Sequence, residues 1–196
     1  GLAEVFEAAK AQSWILSEGY EVKEWLRLLP FANPPAEAFA VLRGLPDDQR
    51  RVDRLEEMIA GFGTAPGADT ENVLFQLAEA DPKLYANHAW RDAAILRGTL
   101  SAAWRFVDLA ANGAFEGKGT DRWHMARQLG GLMSENPDLR AHVYQLLKDS
   151  AMTPGLALLA QAVAEDTDAD GLLLLIKIEI AHKHSFISWH TIENVV

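Results

Sequence analysis

The strongest constraint on this chain is its punctuation. Apolar residues recur at spacings of three and four in runs of roughly 10–15 residues, and proline, glycine, aspartate or asparagine breaks each run. That period puts the apolar side chains of each run on one helical face, and a helix this short must bury that face against another helix. One segment alternates like a strand, IKIEI at 176–180. It directly follows the apolar run 172–175 and has no partner strand elsewhere, so we read it as helix. The expectation is an all-α fold of about ten to twelve modest helices, by the apolar spacing.

Individual breaks carry their own chemistry. Helices are expected over Leu2–Leu16 and over Glu21–Leu29, where Pro30 stops the run. A third runs from an Asn33 cap with Pro34 at its first position to Gly44. Pro46-Asp47-Asp48 opens a fourth helix with Val52, Leu55, Met58 and Ile59 as its stripe, and GFGTAPG (61–67) is expected to break it. A fifth begins near Asp69 or Thr70 and ends at Asp81-Pro82. Asn87 caps the longest tract, about 25 residues to Ala111 by apolar spacing, with Gly98-Thr99 as a possible dividing point. Residues 112–119, NGAFEGKG, read as a loop. A helix from Thr120 or Asp121 to Met133 contains the Gly130-Gly131 pair. Pro137 and Thr153-Pro154 open two more, an acidic turn follows at 166–171, and Ser188 caps a final helix.

Paired helices with such breaks suggest stacked antiparallel helix pairs, either a superhelix of the HEAT or armadillo kind or an irregular helical bundle. A clean residue-level period of about 40 is not visible. We read residues 1–196 as a single helical domain cut from a longer polypeptide.

Composition narrows function by exclusion. The net charge of −10 repels nucleic-acid backbones and anionic membrane surfaces on average, so neither is expected as a partner. Arg50, Arg51 and Arg54 form the best basic cluster, but Glu56 and Glu57 follow at once, as on a solvated helix face. With no cysteine, disulfides, thiolate metal sites and cysteine nucleophiles are ruled out, in keeping with a cytoplasmic setting. The longest apolar run, Leu172–Ile176, is far short of the roughly 20 residues that span a bilayer.

Four patterns invite chemistry. Asp166-Thr167-Asp168-Ala169-Asp170-Gly171 copies the first half of a calcium-binding EF-hand loop, with acids at positions one, three and five and glycine at six. The twelfth position requires a bidentate glutamate and here holds Lys177. The alternative is that these aspartates cap the next helix, and we prefer it. His182, His184 and His190 lack the i, i+4 spacing of a helical metal pair. The glycine-rich stretches 61–67 and 112–119 lack the strand and G-K-[ST] order of a phosphate loop. Trp123-His124 could line a pocket, but on a helix such a pair more often packs. No serine sits in a nucleophile elbow. We therefore assign no catalytic, cofactor-binding or metal-ligating residue. Most of the six tryptophans should fill gaps between helices, and one or two left exposed would anchor a partner.

The C-terminal tract, residues 169–196, resembles the helical region downstream of the ATPase core in large bacterial proteins of the NACHT or STAND type. The resemblance rests on GLLLLI at 171–176 and SFISWHTIENVV at 185–196. It implies a bacterial helical sensor or scaffold acting on a protein partner or on neighbouring domains of its own polypeptide. The ATP-binding motifs of such proteins are absent, so the resemblance carries over no nucleotide-binding residue. Two other functions remain open: an enzyme with a helical-bundle active site, and a calcium-responsive module built on 166–171.

Overall fold

The computed structural model describes residues 4, 23, 26–31, 49–115, 122–166 and 168–182. The expected helices over most of 2–29, the Asn33-capped helix and the Ser188-capped helix lie outside the described residues, as do His184, His190 and Trp189. Among the described residues the fold is all-α, with no strand. Eight α-helices are defined there: α1 (Gln49–Thr64), α2 (Ala68–Ala80), α3 (His88–Leu96), α4 (Leu100–Ala111), α5 (Arg122–Glu135), α6 (Pro137–Asp149), α7 (Pro154–Asp166) and α8 (Ala169–His182). Short 3-10 turns occupy Leu29–Phe31 and Pro82–Ala86. IKIEI is helical, within α8. The chain divides into two compact units, Gly1–Arg97 and Gly98–Val196.

The polar breaks cap helices as their chemistry requires. Asn87 Oδ1 accepts from Trp90 N at 3.2 Å, Thr99 Oγ1 from Ala102 N at 3.1 Å, and Thr153 Oγ1 from Leu156 N at 3.2 Å. The 25-residue tract is two helices, because Gly98 adopts φ of 62° and Thr99 caps anew. A left-handed backbone there would strain any side chain bearing a Cβ.

In the first unit, α1 and α3 pack closely and run in the same direction. Asn87, before α3, donates to Glu56 Oε1 at 2.9 Å, while Arg97, after α3, reaches the carbonyls of Phe62 and Ala65 at the end of α1. This corrects the expected break at 61–67. Helix α1 continues through Thr64, and Gly61 and Gly63 are buried within it. A Cβ on Gly63 would lie 2.9 Å from Ala93 Cα, and one on Gly61 would collide with the Arg27 carbonyl. These glycines are there to let backbones approach, and the turn begins only at Ala65. The core gathers on Trp90, which is fully buried. Its Nε1 donates to Leu74 O at 2.9 Å, and Phe75 and Tyr85 meet its ring edge-to-face at 5.4 and 5.2 Å.

The second unit repeats the device. Helix α7 packs most heavily on α5, and also on α4 and α8. A Cβ on Gly130 would lie 2.8 Å from Ala162 O, and one on Gly155 would collide with the Ala110 carbonyl. Its core is Phe106, Phe115, Met125, Leu129, Met133, Leu139, Val143, Leu156, Leu159, Val163 and Leu175. Gly63 and Gly130 thus join helices two apart in sequence, α1 with α3 and α5 with α7, while Gly155 joins α7 to α4. No described helix is long and apolar enough to cross a membrane.

Candidate functional site

Three short elements bring the acidic stretch together with α6. Asp166 is the last residue of α7 and its side chain is fully buried. Asp168 starts α8: its Oδ2 accepts from Gly171 N at 3.1 Å and its carbonyl accepts from Leu172 N at 2.9 Å. Asp170 is exposed in the first turn of α8, where the helix dipole favours an acid.

From α6, Arg140 Nη2 donates to Asp166 Oδ1 at 3.1 Å and to Ser134 O at 3.3 Å. Its Nε lies 2.7 Å from Asp166 Oδ2, an ion-pair contact without hydrogen-bond alignment. Tyr144 Oη, one turn further along α6, donates to Asp168 Oδ2 at 3.0 Å. Burial holds the Asp166 carboxyl above the usual aspartate range, opposed by Arg140 and reinforced by Asp168. Burial and the bond to Asp168 push the Tyr144 phenol upward. The bond to Asp166 raises Arg140 further, against the effect of burial.

The three aspartates thus part company. Asp166 pairs with a guanidinium, Asp168 caps a helix and accepts from a phenol, and Asp170 faces solvent. This arrangement locks the α6–α7–α8 junction. A calcium ion would need those same oxygens, and Arg140 already supplies the positive charge. Among the described residues no group of three or more His, Asp and Glu side chains is placed to hold a metal. His124 is exposed on α5.

A second cluster was not legible as one in the sequence. On α4 the residues Ser101, Trp104, Arg105 and Asp108 share the outward face at spacings of three and four, with Ala102, Ala103, Phe106, Val107 and Ala110 turned inward. On α6 the inward residues are Leu139, Val143 and Leu147, which leaves His142 on the outer flank. The two flanks meet. The Trp104 and His142 rings stack at 4.8 Å with a 34° tilt, and His142 Nε2 lies 2.9 Å from Asp108 Oδ1. An ionised carboxylate only accepts, so in this contact Nε2 is the donor. Trp104 is half-buried.

The pair has the form of a base held by a carboxylate, but Asp108 is 59% exposed and His142 32%. No nucleophile hydrogen-bonds to His142 among the described residues. The indole–imidazole stack is half-buried on the outer flanks of α4 and α6. No protein-family model, curated protein or solved structure matches this chain.

Proposed function

We propose that this chain is a non-enzymatic helical scaffold or sensor module that binds a polypeptide partner, including neighbouring domains of its own polypeptide, across its outer helix faces. The observation that carries the reading is the Trp104–His142 stack, held across α4 and α6 by Asp108. Tryptophan is the side chain most enriched at binding hot spots, and orientating it beforehand lowers the entropy lost on association. Asp108 at His142, and Arg105 beside Trp104 on α4, supply the polar rim that a reversible interface uses.

Helix spacing supports a repeat architecture of the HEAT or armadillo kind. The even-numbered helices begin at 68, 100, 137 and 169, in steps of 32–37 residues. Helices two apart pack on one another within each unit, as stacked helix pairs do. The bacterial NACHT or STAND setting fits the same picture as a scaffold appended to a motor.

The test begins with cross-linking of the tagged chain in cells, comparing the native protein with Trp104→Ala and with Gln76→Ala, an exposed change on α2. Any partner lost with Trp104→Ala alone is then purified and titrated calorimetrically. The reading expects Trp104→Ala to weaken that complex at least about tenfold, the effect of one anchor residue. Unchanged affinity, or no partner sensitive to Trp104, would overturn it.

A further inference from the structure

Positions 69 residues apart play the same parts in helices α2–α4 and α6–α8. Helices α2 and α6 both run for 13 residues and begin at 68 and 137, and α4 and α8 begin at 100 and 169. Thr99 and Asp168 cap the later two alike, each accepting at 3.1 Å from the N–H three residues on. The buried Thr70, Leu74 and Ala78 of α2 return as Leu139, Val143 and Leu147 of α6. Trp90, Ala93 and Ala94 of α3 return as Leu159, Ala162 and Val163 of α7. The ion pair of Arg97 with Glu71 returns as that of Asp166 with Arg140, with the charges exchanged. Caps, core positions and links thus recur in one register, as in stacked repeats.

The register singles out one flank on which the copies differ. On α4, Val107 is fully buried, Trp104 and Ala111 are half-buried, and Trp104 and Asp108 meet His142 of α6. Their counterparts on α8 are Ile176, Leu173, Ile180 and, for Asp108, Lys177. Leu173, Ile176 and Ile180 are 56%, 40% and 77% exposed. At steps of three and four they form a single ridge, unlike apolar residues scattered singly over a surface. Helix α6 reaches α8 elsewhere, where Tyr144 donates to Asp168 and lies against Gly171. We propose that the outer flank of α8 docks a helix of a partner polypeptide in the place that α6 takes on α4. That helix presents apolar residues to Leu173, Ile176 and Ile180 and a carboxylate to Lys177. Charge fixes the second requirement. Asp108 takes a donor from α6, so Lys177 at the same position takes an acceptor, the exchange already seen between the two buried ion pairs. This inference rests on the repeat architecture of the proposed function and not on a partner at Trp104.

The probe is the α6 sequence, Pro137–Asp149, as a fluorescein-labelled peptide stapled to hold it helical, in its native form and with His142→Glu. Both are titrated by fluorescence anisotropy against the full chain. The native chain should bind the His142→Glu peptide at least about tenfold more tightly than the native peptide, and Lys177→Asp, which reproduces Asp108, should invert that order. A misfolded variant could not gain affinity for the native peptide, so the inversion separates recognition from loss of structure. Ile176→Asp should weaken binding of the His142→Glu peptide at least about tenfold, and Gln76→Ala, exposed on α2, should leave it unchanged. No saturable binding of either peptide, an order unmoved by Lys177→Asp, or binding that survives Ile176→Asp overturns the proposal. So does a dimer in sedimentation velocity that Ile176→Asp dissolves, because a second copy would then hold the ridge. No variant used touches α4, so failure here leaves the Trp104 reading standing, and failure of that reading in the cross-linking experiment leaves this one.

Discussion

Replacing Arg140 by methionine should destabilise the second unit far more than replacing Asp166 by asparagine, although both remove the same ion pair. The asymmetry comes from burial. The Asp166 side chain is fully buried, whereas that of Arg140 keeps 24% of its surface in water. In Arg140→Met the carboxylate is stranded, and an uncompensated buried charge costs about 3–5 kcal/mol at neutral pH. In Asp166→Asn the guanidinium keeps Ser134 O at 3.3 Å, the Asp168 carboxylate at 4.0 Å and its contact with solvent. That change should cost only about 1–2 kcal/mol. At an m-value of about 2 kcal/mol per molar urea, the arginine variant should lose about 1.5–2.5 M in midpoint.

The pH dependence sharpens the test. The folded-state pKa of Asp166 is raised by burial, so between the unfolded and folded values the native state holds more protons. Its contribution to stability is therefore greatest below the unfolded pKa and falls as pH rises through the folded one. Without Arg140 the folded value rises further and the loss extends toward neutrality. The penalty of Arg140→Met should thus be smaller at pH 5 than at pH 7.5 by urea unfolding followed at 222 nm. The double variant Arg140→Met with Asp166→Asn should recover much of the loss and most of the pH dependence. Equal costs for the two single variants, or a pH-independent cost for Arg140→Met, would refute this account of the junction.

Adjacent glycines should respond with opposite signs. Gly130→Ala drives a Cβ against Ala162 O and should cost about 1–3 kcal/mol, whereas nothing lies within 4 Å of a Cβ on Gly131, so Gly131→Ala should gain about 0.5–1 kcal/mol by the helix propensity of alanine; thermal melts of the two variants decide it. Arg97 Nη atoms donate to the carbonyls of Phe62, Ala65 and Gly67 at 2.6–2.8 Å, beside Glu71, so Arg97→Met should lower the first unit's stability by about 2–4 kcal/mol, read by hydrogen exchange of the α1 and α3 amides. Calcium at millimolar concentration should give no binding heat, because the Asp166 and Asp168 oxygens are engaged by Arg140, Tyr144 and the α8 backbone; a saturable isotherm lost in Asp168→Asn would contradict the lock.

The helical class, the Asn87 cap, the Gly98-Thr99 division, the Pro137 and Thr153-Pro154 starts and the helical reading of IKIEI follow from local spacing and cap chemistry. These depend on interactions within about four residues, and the sequence displays such neighbours directly. The reading of the 166–171 aspartates as caps of the next helix holds for Asp168, whereas Asp166 ends α7 and pairs with Arg140.

Glycine was the residue type that local reading mistook. Gly61 and Gly63 look like a break because glycine usually is one; whether a helix accepts it depends on the backbone brought against it, here near Arg27 and at Ala93. Arg140 and Asp166 are 26 residues apart, Trp104 and His142 are 38 apart, and no spacing rule links such pairs. The chain by itself therefore determined which segments are helices and where they start, because those are short-range contests between backbone and side chain. Only the tertiary structure decided which glycines serve packing, which acids are buried against an arginine, and which ring stacks on Trp104. Those outcomes depend on which distant surface arrives, and on how much water it excludes.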